Sequence, residues 1–325
     1  MNGRRATLRL LVLGVVSLTF IIRDSRAATH PPLTTRHGVV AADNEQASRV
    51  GASVLAAGGN AVDAAIATAL ALGVVHPASS GIGGGGFAIV YSAKDKRAFA
   101  FDFREQGPAK IRPALFAPGG VLQPKLSRIG GLAVGVPGEV AGLDLLSKRF
   151  GKLPWPKLVT PAAMLAETGF ELYVFMHREI AVWLPRADQP SLLAKVLSQL
   201  VGREIGTMIR RRQLAATLLR IAEHRSAGFY KGPVANDIVA TVRGSGGVLE
   251  HSDLRGYRVR ERKPLKARWR KFEVVTMPLP SSGGIALLEA LGIIDATGVD
   301  LDQLGAGSSA ATHVIIEALK HAFSD

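Results

Sequence analysis

The sequence contains no cysteine. That excludes disulfide staples, a thiolate nucleophile and cysteine-ligated zinc, and it leaves the redox compartment undecided. Aromatic residues make up only 6%, and no platform of rings for stacking bases accompanies the arginines. Acidic residues are the minority: 26 Asp and Glu stand against 40 Lys and Arg, a formal net charge of +14. Apolar runs are short. Two stand out, Leu10–Ile22 with 13 residues and Ala61–Val75 with 15, and neither reaches the ~20 that span a bilayer. No internal repeat or low-complexity tract is evident. What remains is a 325-residue chain, 47% hydrophobic, with enough apolar material for a sizeable core. Its length suits one large domain or part of a two-subunit one.

Residues 1–27 read as a secretory leader. Arg4, Arg5 and Arg9 precede the apolar run, and Ser25, Ala27 and Ala28 offer small residues for cleavage. The alternative, a membrane anchor, would need a longer run, so no stable membrane span is expected. Export places the mature protein in a periplasm or outside the cell. Cleavage after Ala27 leaves residues 28–325, with 35 basic and 25 acidic side chains.

The stretch from Gly58 to Arg104 organises the chain. Asn60 is placed to cap a helix, with Asp63 three residues on completing a capping box. Ala61–Val75 is apolar on nearly every face, the pattern of a buried helix. The preceding helix, Asn44–Ala57, stops at Gly58-Gly59. The turn Gly81-Ile-Gly-Gly-Gly-Gly86 invites a phosphate-loop reading, but such a loop needs a strand before it and a helix after it. Here the order is reversed, so the glycines are expected to let two backbones approach closely. A hairpin follows. Along Arg97–Glu105, Phe99, Phe101 and Phe103 share one face; Ala98, Ala100, Asp102 and Arg104 share the other. The second face stays small until Arg104, where a ligand could approach the guanidinium. From the strand pattern alone, pairing of Arg104 with Asp102 is the simpler reading.

Farther along, a helix is expected from about Glu139 to Phe150 and another starting at Thr160-Pro161. Residues 171–212 show no clear pattern, and His177, Trp183 and Arg210–Arg212 are assigned only to surface and packing. Further helices cover Leu214–His224 and Ala310–Asp325, and Lys271–Met277 alternates as a strand. Positive charge concentrates in Arg255–Lys271, where nine of 17 residues are basic, and Tyr257–Arg262 alternates like a strand. A solvated strand face, or one meeting an acidic partner chain, fits an exported protein better than a nucleic-acid surface; no nucleic-acid partner is expected. His313, Glu317, His321 and Asp325 recur every four residues, but residues eight apart lie about 12 Å apart on a helix, so they read as a polar face. No metal or other cofactor is expected. Ser281 and Ser282 lack the glycine spacing of a nucleophile elbow and read as a structural turn.

Several of these motifs occur together in one family. The runs GGNAVDAA, HPASSGIGGGGF and DFREQGPAK resemble the large-subunit signature of the γ-glutamyltransferases (glutathione hydrolases). These are self-cleaving N-terminal-nucleophile hydrolases. The resemblance continues through GVPGEVAGL, FYKGPVA and MPLPSSGG to EALKHAFSD. It covers most of the chain from Gly38 on and is weakest over 170–212. It implies a mixed α/β (α+β) fold, an αββα four-layer sandwich present here in incomplete form. It also implies γ-glutamyl transfer from glutathione or other γ-glutamyl amides to water or amino acids. The arginine of the DFRE motif, which in the family binds the substrate's α-carboxylate, falls on Arg104.

In the family the large subunit is followed by a small subunit from the same precursor, which begins with the nucleophilic threonine and supplies its α-amino group as base. No threonine of this chain lies in that motif, so no catalytic residue is assigned and the chain alone is expected to be inactive. Alone it is also expected to expose apolar faces, among them those around Ala61–Val75 and Phe87–Tyr91. The alternatives are a related acylase acting on another amide, and a non-catalytic truncated exported binding protein.

Overall fold

In the computed structural model the described residues are 34–183, Ser198 and 200–324. The expected leader, the side chain of Trp183 and the end of the chain at Asp325 lie outside them. The first elements are set by local caps. Asn44 caps α1 (Glu45–Ala56), and Asn60 caps α2 (Ala61–Val75) with the full capping box to Asp63. Asp63 also accepts the N–H groups of Lys152 and Leu153, so the cap doubles as a tertiary anchor. Ten of the fifteen residues of α2 are buried. α1 packs on it from one side, and α3 (Glu139–Phe150) and α4 (Trp155–Thr168) pack on others.

β1 (Phe87–Ser92) and β2 (Arg97–Asp102) form the expected hairpin, with Phe87 opposite Asp102 and Ser92 opposite Arg97. β3 (Phe170–Glu171) pairs with β4 (Met208–Ile209), with α5 (Val174–Trp183) between them in sequence. After β4 come α6 (Arg212–His224), α7 (Ala227–Tyr230), α8 (Gly232–Gly244) and α9 (His251–Gly256). β5 (Arg260–Arg262) then adds to the other side of β2, giving a three-stranded antiparallel sheet in the order β1–β2–β5. β6 (Leu265–Trp269) and β7 (Phe272–Thr276) make a separate ribbon. The chain ends in α10 (Gly283–Thr297), α11 (Leu301–Leu304) and α12 (Ser309–Ala322).

The chain divides into two units. One comprises His37–Lys266 with Val275–Pro278 and holds the large core around α2, α4, α6 and the phenylalanines of β2. The other, among the described residues, comprises 34–36, Ala267–Val274 and 279–324, and has a small core in which α10 packs on α12 through Ala286, Ala290, Ile294, Ala318 and Ala322.

Three expectations need correction. The helix expected to start at Thr160-Pro161 starts at Trp155, and Pro161 stands inside it. The earlier prolines, Pro154 at the cap and Pro156 in the first turn, are the real start signal; Leu158, Val159, Ala162 and Ala163, all buried, carry the helix through the interruption. Tyr257–Arg262 is strand only at its end, because α9 runs to Gly256 and Tyr257 closes it. Finally, α2 is covered over most of its surface, with ten residues buried, and the apolar face left to solvent is narrow, Ala61 and Ala65 with the partly buried Ala69 and Leu72; Ile89 and Tyr91 of β1 are exposed as expected.

Candidate active site

Three segments meet around residue 104. The glycine turn 81–86 comes after α2 and before β1, the reverse of a phosphate loop. Its Gly86 exchanges backbone hydrogen bonds with Phe103, and Gly84 O accepts the N–H groups of Gly138 and Glu139 at the start of α3. Gln106 and Val136 close a further bridge. The close approach read from the glycine turn is present at Gly85, and a second one, not read from the sequence, is at Gly138. A Cβ on Gly85 would overlap Phe103 O, and one on Gly138 would overlap Phe103 O and the Tyr257 hydroxyl.

Both faces of β2 are buried. Phe99 and Phe101 pack with Phe150, and the Arg149 guanidinium lies over the Phe99 ring at 4.5 Å. Arg149 is held there by Glu261, which stands opposite Phe101 on β5. On the other face Ala100 and Asp102 meet β5. Arg262 reaches diagonally to Asp102, with Nη2 to Oδ2 at 2.7 Å and Nε to Oδ2 at 3.1 Å. The uncrowded face read from the sequence is therefore covered as far as Asp102. Arg104 lies two residues beyond the end of β2 and is exposed. Its N–H donates to Asp102 Oδ1 at 3.1 Å, and the Tyr257 hydroxyl donates to its carbonyl at 2.9 Å. So Asp102 does serve Arg104, through the backbone, while its other oxygen takes Arg262.

At the start of α3, within reach of the charge of Glu105, sits a group that the sequence did not flag. Burial, and then the charge of Glu105, push the Glu139 carboxyl up to about 7. The hydroxyls of Tyr230 and Tyr257 are also pushed up, chiefly by burial, and both remain neutral donors over the ordinary pH range. A pairing of two glutamates at a helix start that is itself capped by a carbonyl had no short-range signature.

The other singled-out residues have plain roles. Arg211 donates to the carbonyls of Gly73 and Val74, closing the C-terminus of α2. His177 and Arg210 are exposed, and Arg210 donates to Thr168 O. Ser282 precedes α10 without capping it through its side chain. A strand and a helix do flank the Ser281-Ser282 turn, but six residues separate β7 from α10, not the sharp turn of a nucleophile elbow. Glu317 takes Lys320. Among the described residues no group of three or more His, Asp or Glu is placed to hold a metal ion, and no helix is long and apolar enough to cross a membrane.

The family model described as Gamma-glutamyltranspeptidase matches residues 47–325. The chain belongs to the gamma-glutamyltranspeptidase family. It is 39% identical over 293 residues to the glutathione hydrolase proenzyme of Pseudomonas aeruginosa, covering 89% of this chain and 51% of that protein. It is 36% identical over 330 aligned residues to glutathione hydrolase 2 of Arabidopsis thaliana, covering 100% of this chain and 55% of that one. Among solved structures it is similar to Helicobacter pylori gamma-glutamyltranspeptidase, with a TM-score of 0.81 and 35% identity over 90% of this chain and 84% of the other. The fold is thus that of the gamma-glutamyltranspeptidases, in the N-terminal-nucleophile hydrolase class. The chain spans about half the length of the curated relatives it matches.

Proposed function

We propose that this chain is the large-subunit region of a secreted γ-glutamyltransferase or glutathione hydrolase, and that Arg104 is its anchor for the α-carboxylate of the γ-glutamyl group. The observation that carries the reading is the setting of Arg104. It is an exposed guanidinium on a backbone fixed by Asp102 and Tyr257, in the DFRE motif of a chain that belongs to the family. A guanidinium grips a carboxylate through two parallel N–H bonds.

Catalysis in this reading is divided. Arg104 holds one end of the glutamyl group. A small subunit released from the same precursor supplies the threonine that attacks the γ-amide carbonyl, the α-amino group that takes its proton, and the donors for the oxyanion. Water or an amino acid then accepts the glutamyl group. The apolar surface of the smaller unit supports such a partner: Ile285 and Leu287 of α10, and Ile315, Ile316, Leu319 and Phe323 of and just after α12, are exposed. Export to a periplasm or the cell exterior rests on the leader-like residues 1–27.

The experiment is Arg104→Lys in enzyme matured from the complete precursor. It is expected to raise KM for γ-glutamyl-p-nitroanilide and lower kcat/KM by about 30-fold or more, the scale of losing a bidentate charged contact. Unchanged kinetics would return Arg104 to a structural role.

A further inference from the structure

We infer that Tyr257 and Arg262 are positioning residues that aim Arg104 from behind, through its backbone. The inference rests on the reading of Arg104 as the carboxylate anchor. It gives one member of the basic run 255–271, Arg262, a role that charge alone did not supply.

Arg104 sits between two backbone pairings, Phe103 with Gly86 and Gln106 with Val136. Its own peptide groups are held by side chains. The N–H donates to Asp102 Oδ1, and the C=O accepts from Tyr257. Each of these side chains is itself fixed. Asp102 is 6% exposed, and its second oxygen is locked by two N–H groups of Arg262. Tyr257 is 5% exposed, and its ring stacks on Tyr230 with centroids 6.1 Å apart. Tyr230 in turn donates to Pro137 O at 2.8 Å and accepts from the Ala141 N–H at 3.3 Å. The Tyr257 hydroxyl also occupies the space where a Cβ on Gly138 would stand, so the turn before α3 is shaped around it. Burial keeps the phenol protonated, and hence a donor.

An exposed, long side chain is only as well aimed as its backbone, and small misplacement of a binding group lowers affinity steeply. Tyr257 and Arg262 come from one segment, more than 150 residues away in sequence. Together they hold the carbonyl of Arg104 and, through Asp102, its N–H.

The test uses enzyme matured from the complete precursor, assayed with γ-glutamyl-p-nitroanilide. Tyr257→Phe keeps the ring and removes the hydrogen bond. It is expected to raise KM about two- to tenfold, the range of one net hydrogen bond, with kcat within about twofold. Arg262→Gln is expected to act in the same direction, with Arg262→Lys partly restoring KM. In an Arg104→Ala background neither substitution should add a further effect, because the group they aim has been removed. If Arg104→Lys raises KM but Tyr257→Phe and Arg262→Gln do not, the inference fails and the anchor reading stands. If Arg104→Lys changes nothing, both fail. Additive losses in the double variants, or a fall in kcat with KM unchanged, would make the two residues merely structural and overturn the inference. Should Tyr257→Phe not mature, the Arg262 pair decides: wild-type KM in both variants overturns it.

Discussion

α2 and α10 are fifteen residues each, and both are apolar on almost every face. By sequence they are near equivalents, yet ten residues of α2 are buried and only four of α10. α2 begins with a capping box whose aspartate also anchors the loop after α3, and it ends with two carbonyls closed by Arg211. α10 begins without a side-chain cap and presents Ile285 and Leu287 to solvent. An all-round apolar pattern says that a helix is to be covered. It does not say by what, and here one helix is covered by its own unit and the other is covered only in part.

The largest expected effect tests the covered helix. Ile66 is 0% exposed at the centre of the main core, and Ile66→Ala should cost about 2–5 kcal/mol through lost transfer energy and the cavity left behind. Urea unfolding of the wild type and variant measures it; a cost below 1 kcal/mol would break the comparison by showing that α2 is loosely packed.

Next comes a charge effect confined to the unit that buries α2. The Glu139 carboxyl titrates near 7 in the folded chain against an ordinary value of 4.5. The native state therefore holds a proton that the unfolded chain has lost between those two values. Stability is fully retained below about pH 4.5 and falls as pH rises towards 7, by as much as about 3 kcal/mol. Glu139→Gln should flatten that fall, measured as unfolding midpoints across pH 4.5–8; an unaltered pH profile in the variant would assign the slope to other groups.

The smallest effect belongs to the exposed helix. Ile285 is 42% exposed, and Ile285→Ser should change the stability of residues 28–325 by less than about 0.5 kcal/mol. In the complete precursor the same substitution should cost more than 1 kcal/mol if a small subunit covers α10. Equal, small effects in both would remove the exposed face as support for that partner.

Much of the fold was legible because its signals are local. The Asn60–Asp63 box, the bounds of α3, the β1–β2 hairpin and the reversed order around the glycine turn are each decided within a few residues. Arg104 was legible in another way, through the motif around it; the strand pattern alone pointed to a pair with Asp102, and the structure makes that link through the backbone. Pro161 misled because a helix start and a tolerated interior proline look alike until Leu158 and Val159, before Thr160-Pro161, and Ala162 and Ala163, after it, are seen to be buried in one continuous helix.

By itself, the sequence determined where α1 and α2 begin, the bounds of α3, the β1–β2 hairpin, that α2 is largely buried, and to which family the chain belongs. Tertiary structure alone decided that α10 is covered only in part, that Arg211 closes α2, that Glu139 and Glu105 share a site, and that Tyr257 and Arg262 stand behind Arg104. The reason is physical. Caps, turns and periodic faces act over the length of one or two helical turns, whereas Arg211 meets Gly73 across 138 residues and Tyr257 meets Arg104 across 153, and contacts at that separation leave no period in the sequence.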